Sequence, residues 1–198
     1  MQVILDQLQE VGFAQWMATL FSIIYILLAV RNKSSCFIFG LISAVFWGYE
    51  SYVNLNLKYD ALLQMFYVLM SIWGIYQWRK GGDNENERPI SALGVKGNVL
   101  WIGIGIITSI FIYFLLLNLV SSEKAFLDLA TTVFSVIATF LLIYRFLDQW
   151  IYWIVIDLCY VYIYSTTGGE LFAIIMLVYT ILAFQGFFSW KKLYLEKI

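Results

Sequence analysis

Apolar runs long enough to cross a lipid bilayer recur along the whole chain, at about residues 11–30, 35–55, 60–78, 97–119, 126–144, 150–166 and 171–190. A helix of about 20 apolar residues spans the hydrocarbon core. Lipid offers no partner for backbone N–H and C=O groups, so each run must satisfy its own as a helix. The rest of the composition agrees: 13% of the 198 residues are charged and 62% are hydrophobic, against roughly 25% charge in a soluble domain. The expected fold is an all-α integral membrane protein of seven transmembrane helices.

The loops after the first, third and fifth runs, with the C-terminus, hold Arg31, Lys33, Arg79, Lys80, Arg88, Lys96, Arg145, Lys191, Lys192 and Lys197. The opposite side holds only Lys58 and Lys124. Basic residues stay on the cytoplasmic side, which predicts an outside N-terminus and a cytoplasmic C-terminus in a cell (inner) membrane. The outer side then carries Asp6, Glu10, Asp60, Glu123, Asp128 and Glu170, a field that gathers cations.

Several function classes drop out. There is no histidine, and Cys36 and Cys159 both fall inside apolar runs, so neither a metal centre nor a disulfide framework is supported. No Ser–Lys or Cys pair shares a membrane face, and an enzyme is not expected. The last run, Leu171 to Trp190, has no lysine for a retinal Schiff base. No cofactor and no nucleic-acid partner are expected; the partners are the bilayer and a small molecule.

GIYQWRK, Gly74 to Lys80, returns as GFFSWKK, Gly186 to Lys192. At the same offset of 112 Tyr67 falls on Tyr179 and Ala61 on Ala173, and at an offset of 114 Ser43 falls on Asp157. The boundaries expected are a first three-helix repeat over 1–79, a cytoplasmic linker over 80–96, a connector helix over 97–120 and a second repeat over 121–198. Both repeats start outside, as parallel repeats do in transporters. A three-plus-one-plus-three bundle follows, with alternating exposure of a central site as the halves rock.

At about 100° per residue, polar and aromatic residues form stripes. Span six aligns Trp150, Trp153, Asp157, Tyr160 and Tyr164; span two aligns Phe39, Ser43, Trp47, Glu50 and Asn54; span three aligns Gln64, Tyr67, Ser71, Gly74 and Trp78. Thr19, Ser22, Ser135 and Thr139 read as helix packing or as function alike. Trp78, Trp190 and Tyr194 fit an interfacial belt, and Asp60 and Asp128 fit helix N-caps.

Asp157 sits near mid-membrane, where an ionised acid costs at least about 2.5–3.5 kcal/mol, and no Lys or Arg lies in a span core. It is protonated, hydrogen-bonded in a wet cavity, or paired with a cation from outside. Trp150 and Trp153 on the same face favour a flat or cationic ligand, since aromatic faces attract cations by roughly 0.5–2 kcal/mol.

FGLISAVFWGY (Phe39 to Tyr49), ALLQ (Ala61 to Gln64), SIWGIYQW (Ser71 to Trp78) and WIYWIVID (Trp150 to Asp157) resemble the PnuC-type vitamin transporters from about Gln15 to Lys192, outside the linker and much of the fourth run. The resemblance implies a SWEET-like fold and uptake of nicotinamide riboside by facilitated diffusion, with the substrate trapped by a cytoplasmic kinase. It implies homo-oligomers, as trimers. By position, Gln64, Trp150, Trp153 and Asp157 would contact the substrate's ring and ribose, with Ser43 and Gln185 nearby; Trp47 and Tyr67 stand on the same stripes. Asp157, Ser43 and Gln185 replace residues that are often Asn in the family, which leaves thiamine as the alternative substrate.

Overall fold

The computed structural model describes residues 11–54, 58–82, 87–116 and 125–196. Among these lie seven α-helices: α1 Phe13–Val30, α2 Cys36–Tyr49, α3 Lys58–Lys80, α4 Gly94–Leu116, α5 Ala125–Ile143, α6 Gln149–Ser165 and α7 Glu170–Leu195. Each covers one of the apolar runs. Five helical stretches are long and apolar enough to cross a membrane: Phe13–Val30, Cys36–Asn54, Gly94–Leu116, Ala125–Ile143 and Glu170–Leu195. Asp6, Glu10, Glu123, Lys124, Lys197 and the side chains of Lys58 and Asp60 lie outside the described residues, so the expected charge balance of the outer face does too.

The helix ends follow from local chemistry. The N-terminus of α1 is closed by the Gly12 N–H, which donates to Gln15 Oε1 at 3.1 Å. At its C-terminus Asn32 adopts a left-handed conformation (φ 54°), and the Lys33 N–H reaches back to the Leu28 carbonyl at 3.0 Å. Asn tolerates that conformation, and the back-bond uses an otherwise orphaned carbonyl. Helix α2 loosens at its end into a π-helical turn, Glu50–Asn54. Helix α5 begins at Ala125, three residues before Asp128; Asp128 is therefore in the first turn and is not an N-cap. Helix α3 begins at Lys58, which puts Asp60 inside its first turn as well. Ahead of Asp128 the apolar Ala125, Phe126 and Leu127 extend the helix past the acid.

The chain divides into two compact units. The first is Met1–Pro89 with Ile143–Arg145. In it α2 packs against both α1 and α3. Phe37 lies where a Cβ on Gly74 would stand, and its ring meets Trp78 edge-on at 4.9 Å and 86°. Trp78 is 0% exposed. Over its other neighbourhood sits Arg145, with Cζ 4.6 Å from the ring centroid.

The second unit is Ile90–Leu142 with Phe146–Ile198. Helices α6 and α7 pack closely, and Ile137, Ala138 and Leu141 of α5 form a core with Tyr152 and Ile156 of α6. A Cβ on Gly186 would stand 2.6 Å from the Trp150 indole, and that indole meets Trp190 edge-on at 5.6 Å and 88°. Trp190 is also 0% exposed. The belt assignment for Trp78 and Trp190 is thus corrected: both are packed inside their units, because a glycine one turn earlier admits a ring from the neighbouring helix against them.

Helix α4 belongs to this second unit. It meets α5 through Gly105, where a Cβ would stand 2.5 Å from Phe134; Ser109, one turn on, is also buried. Small residues a turn apart let membrane helices approach closely. Much of α4 is apolar and exposed, including Ile107, Phe111, Phe114 and Leu115, as a lipid-facing surface would be.

Candidate functional site

The hydroxyl stripes are spent locally. Ser22 donates to the Thr19 carbonyl, Thr131 to Asp128, Ser135 to Thr131 and Thr139 to Ser135, all at 2.8 Å. With their hydrogens committed to their own helices, these residues read as packing.

In the first unit, Gln64 is buried on α3 and lies against Gly48 of α2. A Cβ on Gly48 would come within 3.2 Å of the Gln64 Cβ, so the glycine is what lets the Gln64 backbone approach. Ser43 donates its hydroxyl to the Ala18 carbonyl of α1 at 2.8 Å, which ties α1 to α2 and leaves the oxygen as an acceptor. Trp47 and Tyr67 are half-buried, with the Tyr67 ring 5.5 Å from Phe66. Glu50, one turn beyond Trp47, is 4% exposed and accepts from Asn54 Nδ2 at 2.6 Å. Sequence reasoning put Glu50 on the stripe but did not make it a site residue. Its place near the end of an apolar run was the available signal, and π-helical turns often mark functional positions.

In the second unit, Asp157 is 5% exposed on α6. Among the described residues no donor or cation reaches its carboxyl. Trp153, one turn before, is half-buried against the α5–α6 core. Trp150 is 2% exposed, with its ring held over Gly186 and against Trp190. Gln185 neighbours Gly186 in sequence but is exposed. The helix α6 register thus brings Trp150, Trp153 and Asp157 onto one stripe, while Gln185 points elsewhere than the Trp150 wedge.

Arg145 was read from sequence only as a cytoplasmic charge. It is 2% exposed, has a left-handed backbone (φ 56°), and donates to the Arg88 carbonyl. Glu87 stands 3.6 Å away. Burial lowers the guanidinium pKa and Glu87 opposes that shift. Arg88 in turn lies over the Tyr144 ring at 4.9 Å and donates to Gln77 Oε1 at 3.0 Å.

Residues 12–192 match the family model described as "Nicotinamide mononucleotide transporter". The chain is 29% identical over 194 residues to a nicotinamide riboside transporter PnuC of Neisseria mucosa, covering 90% of this chain and 73% of that protein. It is 25% identical to the Escherichia coli protein of the same name, covering 91% and 86%. A crystal structure described as the vitamin B3 transporter PnuC superposes with a TM-score of 0.73 at 26% identity, covering 92% of this chain and 82% of that one.

Proposed function

The chain belongs to the nicotinamide mononucleotide transporter family, and on that premise we propose that it carries nicotinamide riboside across a cell membrane. It is a multi-pass membrane protein of a transporter family and not an enzyme. The riboside reading is supported by the relatives whose names give that substrate. The observation that carries it in this chain is Asp157, a buried carboxyl without a partner among the described residues, on one helix face with Trp153. A pyridinium ring supplies the cation that such an acid lacks, and an aromatic face supplies its stacking partner.

The family description names the mononucleotide, but a phosphate would meet Glu50 and Asp157 with no Lys or Arg in any span core. Rejection of the phosphorylated form is therefore expected. Transport follows as facilitated diffusion, with the riboside trapped by a cytoplasmic kinase. The bundle is a three-plus-one-plus-three arrangement with its N-terminus outside, assembled as a trimer. Gln64, Ser43, Trp47 and Tyr67 on one repeat, and Trp150, Trp153, Asp157 and Gln185 on the other, are the proposed substrate contacts.

Asp157 also favours a second reading. An acid in this position complements a thiazolium as well as a pyridinium, which makes thiamine the competing substrate. Titration of the purified protein with nicotinamide riboside, thiamine and the mononucleotide, followed by tryptophan quenching and calorimetry, separates them. Binding of the riboside alone is the expected result. Preference for thiamine would overturn the substrate, and binding of the mononucleotide as tightly as the riboside would overturn the electrostatic argument.

A further inference from the structure

Gln149 opens α6 and is 0% exposed, yet neither its Oε1 nor its Nε2 has a partner among the described residues. Trp150, the next residue, is 2% exposed, and its indole Nε1–H is likewise buried and unpaired. Buried polar side-chain atoms are paired in the large majority of cases, so three open ones on consecutive residues need a reason.

The neighbourhood is not short of partners. Asp148 accepts from the Leu93 backbone N–H at 2.7 Å and from Asn98 Nδ2 at 2.6 Å. Asn98 Nδ2 also donates to the Gly94 carbonyl at 2.9 Å. That network closes on itself one residue before Gln149 and leaves the glutamine out. Leucine or methionine would occupy much the same volume without unmatched groups, and burial of an unpaired amide opposes folding. A partner that arrives would satisfy it.

The chemistry of that partner follows from the amide. A group that satisfies Oε1 and Nε2 together must donate and accept from adjacent atoms, as a primary carboxamide does in a cyclic pair. A carboxylate or phosphate only accepts, and leaves Oε1 unmatched. We propose that Gln149 is a specificity-determining residue that pairs with the primary carboxamide of the substrate, with the Trp150 N–H as a further donor. The proposal rests on the nicotinamide riboside reading and adds to it a filter for amide over acid.

The test uses the full chain, binding of nicotinamide riboside and of its carboxylate counterpart, nicotinic acid riboside, and thermal unfolding of the same samples. Wild type is expected to favour the amide. Gln149→Leu should keep or raise the melting temperature while weakening amide binding by about tenfold or more, because a site built to hydrogen-bond a group discriminates strongly when that bond is lost. Gln149→Met, unbranched like glutamine, repeats the test with less change of shape. Variants that gain stability and bind both ribosides as wild type does would overturn the proposal and mark Gln149 as a hydrated structural residue. Equal binding of the two ribosides by wild type would overturn it too. A wild type that binds neither riboside defeats the functional reading itself, a result distinct from failure of Gln149 alone.

Discussion

In the first unit a phenyl ring, Phe37, lies over Gly74 and meets Trp78 edge-on at 4.9 Å; in the second an indole, Trp150, lies over Gly186 and meets Trp190 edge-on at 5.6 Å. Both tryptophans end a Gly-x-x-x-Trp sequence, and both are wholly buried. The shared part is therefore structural: a glycine, a ring from the helix before it, and a tryptophan that the ring strikes with its edge. The differing part is polar. Phe37 has no hydrogen-bonding group, and Arg145 covers Trp78 from 4.6 Å. Trp150 brings a buried N–H without a partner among the described residues and follows Gln149 in the same condition. The wedge also stands about one and a half turns ahead of Ser43 in the first unit and about two turns ahead of Asp157 in the second. Where one packing pattern carries hydrocarbon in one unit and, among the described residues, unpaired polar atoms in the other, substrate chemistry is the physical reason to look for.

The comparison breaks most visibly if either ring is removed. Trp150→Ala and Phe37→Ala should each lower stability by about 3–5 kcal/mol through loss of packing and the cavity left behind, read as a fall in melting temperature in detergent. Trp150→Phe sharpens the contrast: it makes the second wedge resemble the first, so most stability should survive while riboside binding falls. Next in size, Gly74→Ala and Gly186→Ala force a methyl into a ring and should each cost about 1–3 kcal/mol; equal effects would support a common wedge, and a silent Gly186→Ala would break it. Arg145→Ala should cost about 0.5–2 kcal/mol from the lost contact with the Trp78 face, and should leave riboside affinity unchanged if the first wedge is purely structural. The smallest effect is expected at Lys192, whose exposed pair with Glu196 spans 3.9 Å; Lys192→Ala should shift stability by less than about 1 kcal/mol.

The apolar runs forecast the helices well because span length is local information that hydropathy records directly. A shared span ending was legible too, since GIYQWRK and GFFSWKK have the same spacing. Its meaning was not. Trp78 and Trp190 near span ends look like interfacial residues until Phe37 and Trp150 are seen against them, and no local pattern names the ring that a distant helix will supply. Asp128 misled for a simpler reason: the apolar residues before it extend α5 by most of a turn. Asp157 was conspicuous as a lone acid in an apolar run, and its burial agrees with that reading. Glu50 and Gln149 were quieter, being polar residues at the edges of runs where exposure is the ordinary expectation.

The central claim, that this chain carries the riboside and not its phosphate, is tested most directly by counterflow. Proteoliposomes loaded with unlabelled nicotinamide riboside should accumulate labelled riboside from outside, with no loss of signal when the mononucleotide is added in excess outside. Absence of exchange, or competition by the mononucleotide as strong as by the riboside itself, would contradict the account.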